Sequence, residues 1–344
     1  MHEKKIRIAI NGAGRIGRAF IRLAFNNPNI EFVAINDLGD IENIAYLMRY
    51  DTAYGVAPFE VKAKEDQTAI IVNGKEIRFL NEKDPALLPW QDLNVDIVIE
   101  ATGVFTAYEK ARDHITAGAK RVVITAPAKG EPKDETEVMV LMGINDEKLE
   151  KSVISSNASC TTNAISPVIQ ILNEKIGIEK AILNTTHAYT ASQAIVDGPN
   201  KKDWKEGRAG AQNIIPTSTG AAKALTKIIT DLEGKFDGLS MRVPVVAGSI
   251  ADVTFISKRE TTVEEVNKVL KEATREPRWQ GIYTVAEDLI VSSDIIGSLF
   301  GSIADLGLTK VIDGNLVKVC AWYDNEIGYT NTLIKHVLTI GKYL

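Results

Sequence analysis

Apolar and polar positions fall into short blocks along the first half of the chain, and these blocks predict alternating strands and helices. Residues 6–10 form an apolar run that predicts a strand, and residues 15–26 carry apolar side chains at helical spacing. Further runs of strand length follow at residues 32–35, 70–72, 76–80, 95–99 and 121–124. Asn73-Gly74, between two of these runs, predicts a hairpin turn. The order is typical of a doubly wound parallel sheet with crossover helices, the Rossmann type of α/β fold.

The second half has a different pattern, with longer strands and fewer helices. Strands are predicted at residues 181–186, 241–246, 251–256 and 317–322, and helices at residues 218–230, 263–274 and 331–344. This is typical of an α+β domain with an open mixed sheet. We therefore predict two domains, the first from residues 1–158 with 326–344 and the second at residues 159–325.

The composition narrows the class of protein. Hydrophobic residues make up 45% of the 344 residues, and no apolar run reaches the length of a membrane span, so we expect no membrane association. The formal net charge of −5 argues against a nucleic-acid partner. The two cysteines, Cys160 and Cys320, form neither a disulfide framework nor a metal-ligand pattern. With no apolar leader, we expect a cytoplasmic protein without a metal site.

A glycine-rich turn follows the first predicted strand. Gly12-Ala13-Gly14-Arg15-Ile16-Gly17 matches G-x-G-x-x-G and opens the first predicted helix. Glycines there let backbone N–H groups approach a pyrophosphate, which rests on the helix N-terminus. The alternative is a tight strand–helix turn with no ligand. The strand before the turn and the helix after it favour the dinucleotide site.

Asp37 indicates which dinucleotide binds. It lies at the end of the second predicted strand, 20 residues beyond Gly17, where a carboxylate accepts hydrogen bonds from a ribose diol. A 2′-phosphate would meet this carboxylate at close range, a repulsion of about 4 kcal/mol near a protein surface. The sequence therefore predicts NAD rather than NADP.

Cys160 is a candidate nucleophile. It lies within Ser156-Asn157-Ala158-Ser159-Cys160-Thr161-Thr162-Asn163, and an apolar stripe at helical spacing follows from residue 164 to residue 175. Small hydroxyl and amide residues are typical of helix N-termini. A cysteine in the first turn faces unpaired N–H groups and the positive end of the helix dipole, which favour the thiolate. An inert buried thiol is the alternative.

His187 is the histidine best placed to act as a base. It follows the strand predicted at residues 182–186, whereas His114 and His336 fall in predicted helices. A strand end can hold a base within reach of a nucleophile, although a lone histidine is more often structural.

Several ordered blocks resemble the phosphorylating glyceraldehyde-3-phosphate dehydrogenase family of the bacterial and eukaryotic type. They occur in the family's order and spacing over nearly the whole chain: residues 11–18, 36–38, 156–163, 185–187, 213–223, 242–244 and 322–326. A resemblance of this length is far more specific than the glycine motif alone.

The resemblance implies a mechanism. Cys160 would attack the aldehyde, His187 would take the thiol proton and stabilise the oxyanion, and a thioester would form on Cys160 before inorganic phosphate releases an acyl phosphate. The expected partners are glyceraldehyde 3-phosphate and inorganic phosphate, the cofactor is NAD, and the expected assembly is a homotetramer.

The resemblance also implies binding residues. Substrate phosphate would be bound by Thr190 and Arg242, and attacking phosphate by Ser159, Thr161, Thr219 and Gly220. Cofactor contacts would come from Gly12, Gly14, Arg15, Ile16, Gly17, Asp37, Arg78, Thr125 and Asn325, with Asn325 on the nicotinamide carboxamide. Ala13, Ala164, Ala194, Lys205 and Ile327 depart from the commoner family pattern without removing a group from the mechanism.

Two alternative functions fit the same residues. An erythrose-4-phosphate dehydrogenase would share the cysteine and histidine but prefer water as the deacylating nucleophile. A non-catalytic thiol redox sensor would need an accessible cysteine but not His187, Arg242 or Asn325.

Overall fold

The computed structural model describes residues 5–344, which form two compact units. The first unit comprises the described residues up to Val140, Asn145–Ala158 and Leu333–Leu344. The second comprises Leu141–Ile144 and Ser159–Thr332.

The first unit is built on a mostly parallel sheet. The strands of this unit are β1 (Ile6–Asn11), β2 (Ile30–Asn36), β3 (Tyr50–Asp51), β4 (Gly55–Val56), β5 (Val61–Ala63), β6 (Ala69–Val72), β7 (Lys75–Leu80), β8 (Ile97–Glu100), β9 (Arg121–Ile124), β10 (Glu137–Met139) and β11 (Ile154–Ser156). Among the described residues, strands β3 and β4 pair only with each other, and the other nine form the sheet. Its α-helices are α1 (Arg15–Ala24), α2 (Ile41–Arg49) and α3 (Tyr108–Thr116), with 3₁₀ turns at Pro85–Leu87 and Asp146–Glu150.

The strand order in this sheet creates a switch point. The order is β10-β11-β9-β8-β1-β2-β7-β6-β5, and all neighbours are parallel except β7-β6 and β6-β5. Strands β2, β7, β6 and β5 lie on one side of β1, and β8, β9, β11 and β10, which come later in the chain, lie on the other side. In such sheets a crevice forms beyond the carboxyl ends of the strands at the reversal. The predicted doubly wound fold is confirmed.

The core of this sheet explains its continuous apolar strands. Ile8, Ala9 and Ile10 of β1 are fully buried, as expected for a strand covered on both faces. The predicted hairpin is also confirmed, because β6 and β7 pair across Asn73 and Gly74, which have φ angles of 46° and 77°.

The second unit is built on a mixed sheet. Its strands are β12 (Ile178–Ala188), β13 (Ile215–Ser218), β14 (Phe236–Val243), β15 (Ser249–Ser257), β16 (Tyr283–Ala286), β17 (Ser302–Ile312) and β18 (Leu316–Tyr323), in the order β13-β14-β12-β15-β18-β17-β16. Its α-helices are α4 (Cys160–Lys175), α5 (Ala221–Thr226) and α6 (Val263–Ala273), with 3₁₀ turns at Trp204–Gly207, Thr230–Leu232, Pro277–Trp279 and Ser292–Ile295. The last helix is α7 (Ile327–Gly341). Its residues up to Thr332 belong to the second unit, and those from Leu333 onward belong to the first unit.

Helix α4 is the central helix of this unit. It packs against β17, β18 and β15, and its residues from Thr161 to Ile169 are buried. Pro167 has no N–H to donate to Asn163, and the Ser166 hydroxyl donates to that carbonyl instead, over 3.4 Å.

Some predicted boundaries in the second half were wrong. The helix predicted at residues 218–230 is shorter, because residues up to Ser218 form β13 at the sheet edge, where Pro216 is tolerated. The strand predicted at residues 241–246 begins at Phe236, because it pairs along β12. Strand β17 was not predicted.

Candidate active site

Cys160 is the first residue of α4 in the structure. Ser159 is the N-cap, and its hydroxyl accepts a hydrogen bond from the Thr162 N–H over 3.1 Å. Ala158, just before the cap, has a φ of 54°, in the left-handed region that costs about 1 kcal/mol for a residue with a Cβ. The sequence prediction that this cysteine lies in the first helical turn is confirmed.

His187 lies beside Cys160. Its Nε2 is 3.4 Å from Cys160 Sγ, and its ring meets the Tyr323 ring edge-on at a centroid distance of 5.9 Å. His187 is part of β12 rather than following it, since β12 extends to Ala188 through pairing with β14. The strand therefore holds the backbone of His187, and Tyr323 supports its ring.

Arg242 and Ala188 contact the other ring nitrogen of His187. Nδ1 is 2.6 Å from the Ala188 carbonyl oxygen and 2.6 Å from Arg242 Nη1. Arg242 Nη1 also donates to that carbonyl over 3.2 Å. If Nδ1–H donates to Ala188, the lone pair of Nε2 faces the sulfur. If Nδ1 instead accepts from Arg242, Nε2–H points at the sulfur.

Burial controls the protonation of the pair. It lowers the pKa of His187 to about 3, and the charge of Arg242 acts in the same direction. Burial also raises the pKa of the Cys160 thiol, although Arg242 and hydrogen bonds from Thr161 oppose this change. The helix N-terminus favours the thiolate, as the sequence predicted, but desolvation of the sulfur is the larger effect. At neutral pH the pair is a thiol beside a neutral imidazole.

Tyr323 connects two threonines near the cysteine. Its hydroxyl is 2.9 Å from Thr161 Oγ1 and 2.8 Å from Thr185 Oγ1, and all three residues are buried. The sequence places Tyr323 within the block 322–326, but nothing in that block indicates a contact with Thr161.

Thr190, Thr219 and Gly220, which are also predicted to bind phosphate, lie in loops of the second unit. Thr190 Oγ1 is 3.1 Å from Ser192 Oγ, and Thr219 Oγ1 accepts from Ala221 N over 3.2 Å. Gly220 is exposed, and no atom lies within 4 Å of a Cβ built on it. The hydrogen bonds of Thr190 and Thr219 are thus made within their own loops, while Arg242 contacts His187 directly.

The first unit has a cavity of about 920 Å³ at the switch point of its sheet. It is lined by Asn11, Gly12, Gly14, Asn36, Asp37, Leu38, Glu82, Lys83, Asp84, Pro85, Ala101, Thr102, Val104, Phe105, Lys110 and Asp113. A concave site of this size at this place in a doubly wound sheet fits a dinucleotide.

The three glycines of the turn have separate roles. Gly12 has a φ of 97°, and a Cβ there would be 2.7 Å from Thr102 N. A Cβ on Gly17 would be 2.2 Å from the Gly12 carbonyl oxygen, so Gly17 allows α1 to pack on the turn. Gly14 has open space where a Cβ would stand. That space is what close approach of a pyrophosphate requires.

Asp37 is held by the same turn. Its carboxylate accepts from Ala13 N over 2.7 Å and from Gly39 N over 2.8 Å. These bonds fix an acceptor at the end of β2, where the sequence placed the ribose contact. The residues present therefore fit an adenine dinucleotide.

Besides Gly17 and Asn325, four predicted cofactor residues are not among those that line this cavity. Arg15 pairs with Asp51 and stacks over the Tyr54 ring, and Ile16 is the second residue of α1. Arg78 is exposed on β7, and Thr125 N donates to the Glu100 carbonyl. Their roles stay predictions.

A buried polar network missed by sequence reasoning supports the cavity floor. Glu100 accepts hydrogen bonds from Asn11 Nδ2 over 2.6 Å and from Thr102 N over 2.9 Å, and lies 3.0 Å from His114 Nε2. Trp90 Nε1 donates to His114 Nδ1 over 3.0 Å, so the hydrogen of a neutral ring is on Nε2 and faces Glu100. The sequence around Trp90, Glu100 and His114 contains no pattern that would have predicted these hydrogen bonds.

Asn325 lies in the second unit and is buried. Its Oδ1 accepts from Gly248 N and from Ser249 Oγ, each over 3.1 Å.

No helix in the described part of the chain combines the length and the apolar character needed to cross a bilayer. Among residues 5–344, no group of three or more His, Cys, Asp or Glu side chains could hold a metal ion.

Comparison with known proteins identifies relatives over nearly the whole chain. The family model for the NAD-binding domain of glyceraldehyde 3-phosphate dehydrogenase matches residues 6–108, and the model for the C-terminal domain matches residues 159–325. The chain is 51% identical to glyceraldehyde-3-phosphate dehydrogenase of Thermotoga maritima, covering 95% of this chain and 97% of the relative. It is 46% identical to the enzyme of Clostridium acetobutylicum, covering 98% of both chains, and 44% identical to glyceraldehyde-3-phosphate dehydrogenase 3 of Saccharomyces cerevisiae, covering 98% and 99%.

Proposed function

Because the chain belongs to the glyceraldehyde-3-phosphate dehydrogenase family, we propose that it oxidises glyceraldehyde 3-phosphate with NAD and inorganic phosphate to 1,3-bisphosphoglycerate. This is a reaction of glycolysis and gluconeogenesis. The observation that carries the proposal is the contact of 3.4 Å between Cys160 Sγ and His187 Nε2 at the start of α4.

The first step forms a bond between Cys160 Sγ and the aldehyde carbon. His187 takes the thiol proton on Nε2, using the tautomer in which Nδ1–H donates to the Ala188 carbonyl. The carbonyl oxygen gains the electron pair of the broken π bond. The protonated His187 ring and the Cys160 N–H then stabilise the oxyanion of the hemithioacetal.

Oxidation requires a hydride acceptor, which NAD supplies when bound. Gly12, Gly14 and Asp37 would hold its pyrophosphate and ribose, and Asn325 its carboxamide. His187 first returns its proton to the oxyanion, which gives the hemithioacetal hydroxyl, and then accepts this proton again as the C–H bond breaks and the carbonyl re-forms. The product is a thioester on Cys160, which conserves oxidation energy that hydrolysis to a carboxylate would release as heat.

Two phosphate groups must be bound for the last step. Arg242 supports an anion site because its Nε is buried and has no hydrogen-bond partner among the described residues. We assign it, with Thr190, to the substrate phosphate. Ser159, Thr161, Thr219 and Gly220 would hold inorganic phosphate, whose oxygen attacks the thioester carbon and displaces Cys160 Sγ.

The test is NAD reduction with glyceraldehyde 3-phosphate, in the presence and absence of inorganic phosphate. We expect turnover to require phosphate and Cys160→Ser to abolish it while still binding NAD. Turnover that phosphate or arsenate does not accelerate would refute the proposal. A higher kcat/KM with erythrose 4-phosphate would instead support the erythrose-4-phosphate dehydrogenase alternative.

We also propose a cytoplasmic homotetramer. Three large apolar residues of segment 190–210 are exposed in the single chain: Trp204 by 86%, Ile195 by 75% and Val196 by 73%. Large apolar side chains exposed close together in the sequence are commonly covered by another subunit, and this exposure supports an oligomer. Four chains of 37.6 kDa give about 150 kDa, which light scattering would measure.

A further inference from the structure

Ser249 connects the end of β12 to Asn325. It is the first residue of β15 and is 1% exposed. The Ala188 N–H donates to Ser249 Oγ over 3.1 Å, and Ser249 Oγ lies 3.1 Å from Asn325 Oδ1. Because a carboxamide oxygen can only accept, the single hydrogen of this hydroxyl goes to Asn325.

The orientation of the Asn325 amide follows from this contact. The Gly248 N–H, which can only donate, also points at Asn325 Oδ1 over 3.1 Å. The oxygen therefore receives two hydrogen bonds. A flipped amide would oppose donor to donor at the Gly248 N–H and would end the donation from the Ser249 hydroxyl. The Nδ2 group has no partner among the described residues.

We propose that Ser249 is a positioning residue for the nicotinamide half of the cofactor. By fixing Oδ1 of Asn325, it leaves Nδ2 to donate to the carboxamide oxygen of the cofactor. This inference rests on the proposed function, since it requires that Asn325 contact the carboxamide.

A change at Ser249 should weaken the binding of the nicotinamide half of the cofactor and leave the binding of the adenosine half unchanged. Ser249→Ala removes one of the two donors that hold Asn325 and leaves the Ala188 N–H without its acceptor. We expect NAD to bind about tenfold more weakly, in line with one lost hydrogen bond of moderate strength. ADP-ribose, which lacks the nicotinamide ring, should bind as it does to the unaltered protein.

Titration calorimetry with NAD and with ADP-ribose tests this, on the unaltered protein, Ser249→Ala and Ser302→Ala. Ser302 is a matched control because it is buried in β17 of the same sheet and its hydroxyl has no partner in the described part of the chain. Ser302→Ala should bind both ligands normally.

The affinities for NAD and ADP-ribose distinguish failure of this inference from failure of the proposed function. Unchanged NAD affinity in Ser249→Ala, or an equal loss for NAD and ADP-ribose, overturns the inference. If the unaltered protein binds NAD no more tightly than ADP-ribose, the nicotinamide site fails and the proposed function fails with it. Should Ser249→Ala not fold, Ser249→Cys keeps the side-chain size with a weaker donor, and the same selective loss is expected.

Discussion

At the scale of single residues, Cys160 and His187 form a neutral pair that needs proton transfer to become reactive. Burial raises the pKa of the cysteine and lowers the pKa of the histidine to about 3. The thiolate is therefore not preformed by the helix N-terminus alone. We therefore expect His187 to act as the base when the sulfur attacks.

His187→Asn tests this role of the histidine. We expect kcat to fall about 10³-fold, within the range for loss of a general base, while NAD affinity stays unchanged. Steady-state kinetics and calorimetry measure the two quantities. A variant that kept most of its kcat would show that Cys160 reacts without this base.

Among single residues, the sequence indicated Cys160, His187 and Asp37, because neighbours along the chain reveal helix starts and strand ends. It did not indicate Ser249, Glu100 or the contact of Tyr323 with Thr161. Ser249 lies 61 positions from Ala188, Glu100 lies 89 positions from Asn11, and Tyr323 lies 162 positions from Thr161. No local pattern encodes such distances.

At the scale of elements, two glycines of the turn between β1 and α1 have different roles: Gly17 allows close packing, and Gly14 leaves space for a ligand. Gly17→Ala should destabilise the protein, because its Cβ would be 2.2 Å from the Gly12 carbonyl oxygen. Gly14→Ala should fold normally, since no atom lies within 4 Å of the added Cβ, yet its methyl would occupy the space for the pyrophosphate.

Thermal unfolding and NAD titration check both glycine variants. We expect Gly14→Ala to keep its Tm and lose NAD affinity by at least about tenfold, the cost of a displaced phosphate contact. Normal NAD binding in Gly14→Ala would place the pyrophosphate elsewhere. A normal Tm in Gly17→Ala would contradict the packing role.

The caps of α4 and α6 offer a second comparison. Ser159 caps α4 and Thr262 caps α6, each accepting from a backbone N–H over 3.1 and 3.2 Å respectively. Substitution of either by Ala should cost about 1 kcal/mol in the free energy of unfolding. Only Ser159→Ala should also raise the KM for phosphate. Equal KM values in the two variants would remove Ser159 from the phosphate site.

At the scale of the whole molecule, two buried histidines make stability depend on pH. Burial lowers the pKa of His336 to about 3, as it does that of His187. In the unfolded chain both take up protons near pH 6.5, so between about pH 6.5 and 3 the unfolded state binds more protons. Stability therefore falls as the pH falls through this range, by about 1.4 kcal/mol per unit for each histidine.

His336→Gln isolates one of these contributions. His336 Nε2 is 2.8 Å from Ser155 Oγ, and Nδ1 is 3.1 Å from Asn157 Oδ1, contacts that a glutamine amide can partly replace. In urea unfolding between pH 6 and 4, the variant should lose about 1.4 kcal/mol less per pH unit than the unaltered protein. Parallel pH curves would show that His336 becomes protonated in the folded state.

The sequence by itself determined the doubly wound sheet, the dinucleotide turn, Asp37 and the start of α4. These depend on local periodicity, glycine spacing and capping, which neighbouring residues specify. The family resemblance added the functional assignment.

Only the tertiary structure decided which distant groups meet. The extension of β12 to Ala188, the placement of Arg242 against His187 and the amide orientation of Asn325 depend on strand pairing between segments far apart in the chain. Burial also decided the protonation of Cys160 and His187, because desolvation depends on everything packed around a group and not on its neighbours in sequence.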